Sequence, residues 1–104
     1  MGKGDTSSGI RSRTQTSNKV ARPLQFRVLM HNDDYTTMEF VVEVLAQVFR
    51  KSPVEANLIM LQVHHRGQGM CGIYPFEIAE TKVNRVHQLA RAAGFPLRCS
   101  LEEA

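Results

Sequence analysis

Gln25-Phe26-Arg27-Val28-Leu29-Met30-His31-Asn32-Asp33-Asp34-Tyr35-Thr36-Thr37-Met38-Glu39-Phe40-Val41 is the stretch that decides the fold. Its first six residues alternate and then turn apolar, the pattern of a strand with one buried face. His31-Asn32-Asp33-Asp34 stops the strand, because Asn and Asp hydrogen-bond their own backbone and favour turns. Thr36 stands three residues before Glu39, a capping-box spacing that predicts a helix start. Met38, Val41, Leu45 and Val48 then recur at helical spacing, with Val42 and Phe49 widening the stripe. An amphipathic helix over about 38–50 follows.

Downstream, Ser52-Pro53-Val54-Glu55 is a second helix start, with Ser as N-cap, Pro at the first helical position and Glu three after Ser. Ala56, Ile59, Met60 and Val63 carry this helix to about His64, where Gly67 and Gly69 break it. Met70 to Tyr74 reads as a strand ended by Pro75. A third helix starts near Phe76, with Ala79, Val83, Val86 and Ala90 on one face, and Gly94 and Pro96 stop it. Leu97, Cys99 and Leu101 alternate as a last short strand. The order β-α-α-β-α-β predicts an α+β fold, a three-stranded antiparallel sheet packed against three helices.

Upstream, residues 1–22 read as a flexible N-terminal extension and residues 23–104 as the single core domain. The leader carries seven Ser or Thr and no aromatic residue, too little apolar surface to offset its ordering entropy. The net charge of +3 is unevenly spread: residues 1–23 hold five basic side chains against Asp5 alone, and the remainder is slightly acidic. The near-neutral body argues against a nucleic-acid-binding face. No apolar run is long enough to cross a bilayer, and no apolar signal core opens the chain.

Several motifs have readings that their context decides. Gly67-Gln68-Gly69-Met70-Cys71-Gly72 matches G-x-G-x-x-G, but a dinucleotide fingerprint needs a strand before it and a helix after it. Here the order is reversed, so the glycines serve a helix-to-strand turn. Cys71 and Cys99 lack C-x-x-C spacing and sit in apolar strand contexts, where free Cys behaves as a small hydrophobe. His31, His64 and His65 with Asp33 and Asp34 lack the spacing of a zinc set, and adjacent His64 and His65 leave the helix in different directions. Asn32-Asp33-Asp34 reads either as a solvated turn capping the first helix or as a polar site. The polar site is favoured where the end of the second helix brings His64 beside it, with Met38, Met60 and Val63 alongside.

Asn32-Asp33-Asp34-Tyr35-Thr36-Thr37-Met38-Glu39-Phe40-Val41 resembles the N-D-D-Y-T-x-M-E-F-V signature of the ClpS family. Met60-Leu61-Gln62-Val63-His64, Cys71-Gly72, Ala79-Glu80-Thr81-Lys82-Val83, Pro96-Leu97 and Cys99 follow in the family's order, so the resemblance covers about residues 25–103. It implies a non-enzymatic bacterial, cytoplasmic adaptor without a cofactor or metal. Such adaptors bind substrates by a free N-terminal Leu, Phe, Tyr or Trp and deliver them to the ClpA unfoldase of the ClpAP protease. The resemblance makes Asn32, Asp34 and His64 ligands of the substrate α-amino group, with Asp33 adding charge beside them. It places Met30, Thr36, Met38, Val41, Met60, Val63 and Leu97 in or near the side-chain pocket, with Met38 as gatekeeper against β-branched residues. Glu77 and Lys82 match positions that dock the N-terminal domain of the unfoldase. Thr37 stands where the family commonly has Pro, and the extension is expected to engage the unfoldase.

The chemistry of these residues agrees with that role. A free α-ammonium offers three donors and a positive charge, and an amide oxygen, a carboxylate and a neutral imidazole nitrogen are fitting acceptors. Two other classes stand against the adaptor: a small metal- or thiol-dependent enzyme using His31, His64 and Cys71, and a nucleic-acid binder acting through the basic leader.

Overall fold

A computed structural model describes residues 23–104; the expected flexible extension, residues 1–22, lies outside the described residues. The elements run β1 (Gln25–His31), α1 (Met38–Phe49), α2 (Pro53–Arg66), β2 (Gln68–Pro75), α3 (Phe76–Ala93) and β3 (Arg98–Glu103). The sheet order is β2-β1-β3, with both pairings antiparallel. The β-α-α-β-α-β reading therefore stands.

β1 is central because its inward set, Phe26, Val28 and Met30, repeats at the strand period of two. Val28 and Met30 have no exposed surface. They join Val44, Leu45 and Val48 of α1, Ala56 and Val63 of α2, and Val86 and Ala90 of α3 in one core. Complete burial of side chains of this size stabilises by about 1.5–3 kcal/mol each. Phe26 meets Phe76 edge to face at 5.3 Å, which closes the end of the core at the start of α3.

The helix ends decide where the turns go. α2 starts as its sequence dictates: Ser52 accepts from the Glu55 N–H, and the Glu55 carboxylate accepts from the Ser52 N–H. α1 does not start on the Thr36–Glu39 capping box. Its N-cap is Thr37, whose hydroxyl accepts from the Phe40 N–H at 3.1 Å. Thr36 is drawn instead to Asp33, because a nearby carboxylate is a stronger acceptor and competes for the same groups. Thr37 thus supplies a cap where Pro would only have fixed φ.

α2 runs two residues beyond His64 and ends at Gly67, whose φ of 89° lies in the left-handed region open to glycine. Gly69 does not break the helix. It is a buried residue of β2, and a Cβ there would stand 2.9 Å from Val63 Cγ2 and 3.2 Å from the Ile59 carbonyl oxygen. The missing side chain lets α2 lie directly on β2. β2 begins at Gln68, two residues earlier than the alternation from Met70 suggests, and has an irregularity opposite Val28 and Leu29.

Candidate functional site

The polar turn after β1 and the last turns of α2 meet because the Asn32 N–H donates to the Gly67 carbonyl at 2.9 Å. That bond joins the end of the central strand to the C-cap of α2. Beside it opens a cavity of about 270 Å³. Asn32, Asp33, Asp34 and His64 form its polar side, and Thr36, Met38, Val41, Met60 and Val63 complete the wall. Asn32, Asp34 and His64 are exposed, whereas Val41 and Val63 are buried at the apolar end. The cavity therefore has a wet, acceptor-rich mouth and a dry floor. A cavity of about 150 Å³ already holds benzene, so this one has room for a leucyl or phenyl side chain.

Asp33 and Asp34 differ in what they can offer. One Asp33 carboxylate oxygen accepts from the Tyr35 and Thr36 N–H groups at 2.8 and 2.7 Å. The other accepts from the Thr36 hydroxyl at 2.7 Å. Burial works to raise the Asp33 pKa, but the Thr36 hydroxyl and the two N–H groups outweigh it and hold the carboxyl below its ordinary value. Asp33 is thus the keystone of the turn. Asp34 is left as the carboxylate that faces the cavity without those duties.

Asp33 carries a stability prediction with a fixed sign. A depressed folded-state pKa contributes stability above the unfolded pKa and loses it as pH falls through the folded value. Asp33→Ala should lower stability by about 0.5–2 kcal/mol at pH 7, the usual cost of losing such a local cap. The gap to wild type should narrow below about pH 4 as the wild-type carboxyl protonates. Thermal unfolding across pH 3–7 checks both. A gap independent of pH would contradict the carboxylate's role.

His31 ends β1 immediately before Asn32, its Nε2 2.6 Å from the Ser100 hydroxyl. Burial, and then the charge of Arg98, lower its pKa. Its contribution to stability is therefore complete at neutral pH and recedes on acidification through its depressed value.

The family model for the ATP-dependent Clp protease adaptor protein ClpS matches residues 21–100. A ClpS adapter from Desulfatibacillum aliphaticivorans is 60% identical over 89 residues, 86% of this chain and 86% of its own length. One from Nitratidesulfovibrio vulgaris (strain Miyazaki F) is 62% identical over 86 residues, 83% of this chain and 86% of its own. The chain belongs to the ClpS family. The solved structure of Agrobacterium tumefaciens ClpS2 bound to L-phenylalaninamide superposes with a TM-score of 0.77 at 38% identity, covering 80% of this chain and all of that one.

The remaining positions suggested by the ClpS resemblance fall in three places. Met30 and Leu97 do not line the cavity. They are buried in the core, at 0% and 3% exposure, in the same cluster as Val41 and Val63. Glu77 is exposed in the first turn of α3, beside a groove formed with Pro23, Leu24, Phe26, Phe76 and Ile78. Lys82 is half-buried on α3 and already engaged. Its ammonium donates to the Val48 carbonyl at 2.8 Å and lies over the Tyr74 ring at 5.1 Å. It satisfies one of the carbonyls left over at the end of α1.

The enzyme alternative loses its common site. Of His31, His64 and Cys71 only His64 reaches the cavity, and Cys71 is wholly buried. The neighbouring Cys99 thiol is pushed up by its hydrogen bond with Cys71 and by burial, the reverse of nucleophile activation. Among the described residues no group of three or more His, Cys, Asp or Glu is placed to hold a metal ion. No helix among them is long and apolar enough to cross a membrane. The nucleic-acid alternative rests on the leader, outside the described residues.

Proposed function

We propose that this ClpS protein is a cytoplasmic, non-catalytic adaptor that captures proteins by a free N-terminal Leu, Phe, Tyr or Trp and delivers them to a ClpA-type unfoldase. The supporting observation is the cavity itself: three exposed polar groups, Asn32, Asp34 and His64, at the mouth of an apolar pocket floored by Val41 and Val63. That pairing suits a ligand with a cation and a hydrophobic side chain on one carbon, the chemistry of an N-terminal residue. The Agrobacterium relative carries such a molecule, L-phenylalaninamide.

In this reading the Asn32 amide oxygen, the Asp34 carboxylate and a neutral His64 nitrogen accept the three ammonium protons. Charge-assisted hydrogen bonds contribute roughly 1.5–3 kcal/mol each, and burial of the side chain a similar amount. After the cost of association, a Kd in the micromolar range is expected, about −8 kcal/mol. Glu77 and the exposed surface around it contact the unfoldase. Lys82 supports that surface by fixing α3 to the end of α1. The leader, residues 1–22, engages the unfoldase during transfer.

A titration with peptides differing only in the first residue tests the proposal. Phe- and Leu-initiated peptides should bind, and an Ala-initiated peptide should bind about 10–100-fold more weakly, the lost burial of one large apolar side chain. Equal affinity for Ala and Phe would overturn it.

A further inference from the structure

Free leucine, phenylalanine, tyrosine and tryptophan carry the same two groups as the N-terminal residue proposed to enter the pocket, an ammonium and a large apolar side chain on one carbon. They differ in the third group on that carbon. A peptide or an amide presents a neutral carbonyl there, and a free amino acid an anionic carboxylate. Covalent geometry keeps that carboxylate close to whatever holds the ammonium. Its oxygens lie about 3–3.5 Å from the ammonium nitrogen, and a hydrogen-bond acceptor lies about 2.8 Å from the same atom, so the two are at most about 6.5 Å apart in any pose.

The mouth of the cavity is built against such an anion. Asp33 and Asp34 line it, and neither Lys nor Arg does. The neighbouring groove, which shares Met38 and Met60 with the pocket, adds the Glu39 carboxylate. Backbone N–H groups of a turn are the usual neutral receptors for an oxyanion, but here they are used within the turn. The Asn32 N–H goes to the Gly67 carbonyl, and the Tyr35 and Thr36 N–H groups and the Thr36 hydroxyl go to Asp33. The element of opposite sign is the N-terminus of α1, and it is already answered. Glu39 stands in its first turn, and the Thr37 hydroxyl takes the Phe40 N–H.

We propose that the pocket selects N-terminal residues over free amino acids, with Asp33 and Asp34 setting that selectivity by repelling the α-carboxylate. The inference rests on the reading of the pocket as a site for N-terminal residues, and it deepens that reading by making the neutral α-carbonyl a third recognised feature. The ligand of the Agrobacterium relative, L-phenylalaninamide, has that neutral carbonyl. Like charges about 5 Å apart weaken binding about fourfold even in the dielectric of water, and more at a part-dehydrated mouth. Two carboxylates, screened by about 0.1 M salt, therefore give a discrimination of about fivefold or more. The protein thus stays available to its substrates among the amino acids that proteolysis releases.

Displacement of a labelled Phe-initiated peptide by L-phenylalaninamide, L-phenylalanine methyl ester and L-phenylalanine tests this at pH 7. In about 0.1 M salt the amide and the ester should compete alike, and free phenylalanine about fivefold or more weakly. In about 1 M salt, where the screening length falls to about 3 Å, the gap should narrow. Folded Asp34→Asn should narrow it at low salt by about threefold, because the lost attraction for the ammonium is common to all three ligands and the lost repulsion favours the acid alone. A gap smaller than about fivefold overturns the proposal, as does one that salt and Asp34→Asn leave unchanged. An ester that falls with the free acid also overturns it, because the amide N–H and not the missing charge would then be recognised. So does an amide that fails to displace the peptide. Failure of the protein to bind the Phe-initiated peptide at all would instead overturn the underlying pocket reading.

Discussion

Acetylating the N-terminus of a Phe-initiated peptide should reduce its affinity by about two to four orders of magnitude. The modification leaves the benzyl side chain intact but removes the positive charge and two of three donors. With two charge-assisted hydrogen bonds worth roughly 1.5–3 kcal/mol each, the loss is about 3–6 kcal/mol. The acceptors that remain are exposed at the mouth and can return to water, which keeps the effect near the lower end. Asp34→Ala resolves the assignment further. It should weaken the free peptide about 10–100-fold and leave the acetylated one almost unchanged, because the ion pair is already absent there. Fluorescence anisotropy with both peptides and both proteins closes the cycle. Acetylated and free peptides within about threefold of each other would remove the ammonium from the account. Equal effects of Asp34→Ala on the two peptides would assign the charge recognition elsewhere.

The contrast between Asp34 and Asp33 marks the boundary of what sequence discloses. Periodicity made the elements legible: Val28 and Met30 at a spacing of two, Val41, Leu45 and Val48 at helical spacing, and all of them buried. Ser52 and Glu55 formed the capping box that their spacing implies. Both failures came where the surroundings overrode a local signal. Thr36 has the spacing of an N-cap, but Asp33 takes its hydroxyl and its N–H, and the cap passes to Thr37. Gly69 looks like a helix breaker beside Gly67, yet its purpose is the close contact of β2 with Val63 and Ile59, a tertiary fact without a local signature. The same limit applies to the site. Helical faces suffice to bring Met38, Val41, Met60 and Val63 to one side of two helices. They do not tell which of two adjacent aspartates is consumed by the turn, nor that the Lys82 ammonium lies against the end of α1.

Met38→Ala should convert rejection of β-branched N-termini into acceptance. Met38 is the first residue of α1, 44% exposed, and lines the cavity whose mouth carries the polar groups proposed to hold the ammonium. A ligand anchored by its α-amino group has its Cβ near that mouth. A second methyl on Cβ, as in Ile or Val, meets whatever stands at the rim, whereas Phe, Leu, Tyr and Trp carry their bulk one carbon deeper. Forcing extra methylenes against a packed wall costs about 1–3 kcal/mol, and removing the thioether removes that cost. The same truncation withdraws apolar contact from a bound Phe, about 1 kcal/mol. The Phe-over-Ile preference should therefore fall by roughly thirtyfold to a thousandfold, 2–4 kcal/mol in sum. Alanine is the best helix former, and the position is part-exposed, so the fold should tolerate the change. Titration of wild type and Met38→Ala with Phe-, Leu-, Ile- and Val-initiated peptides gives the ratio directly. If the ratio holds while the protein remains folded, selectivity against β-branched residues resides deeper, at the buried pair Val41 and Val63.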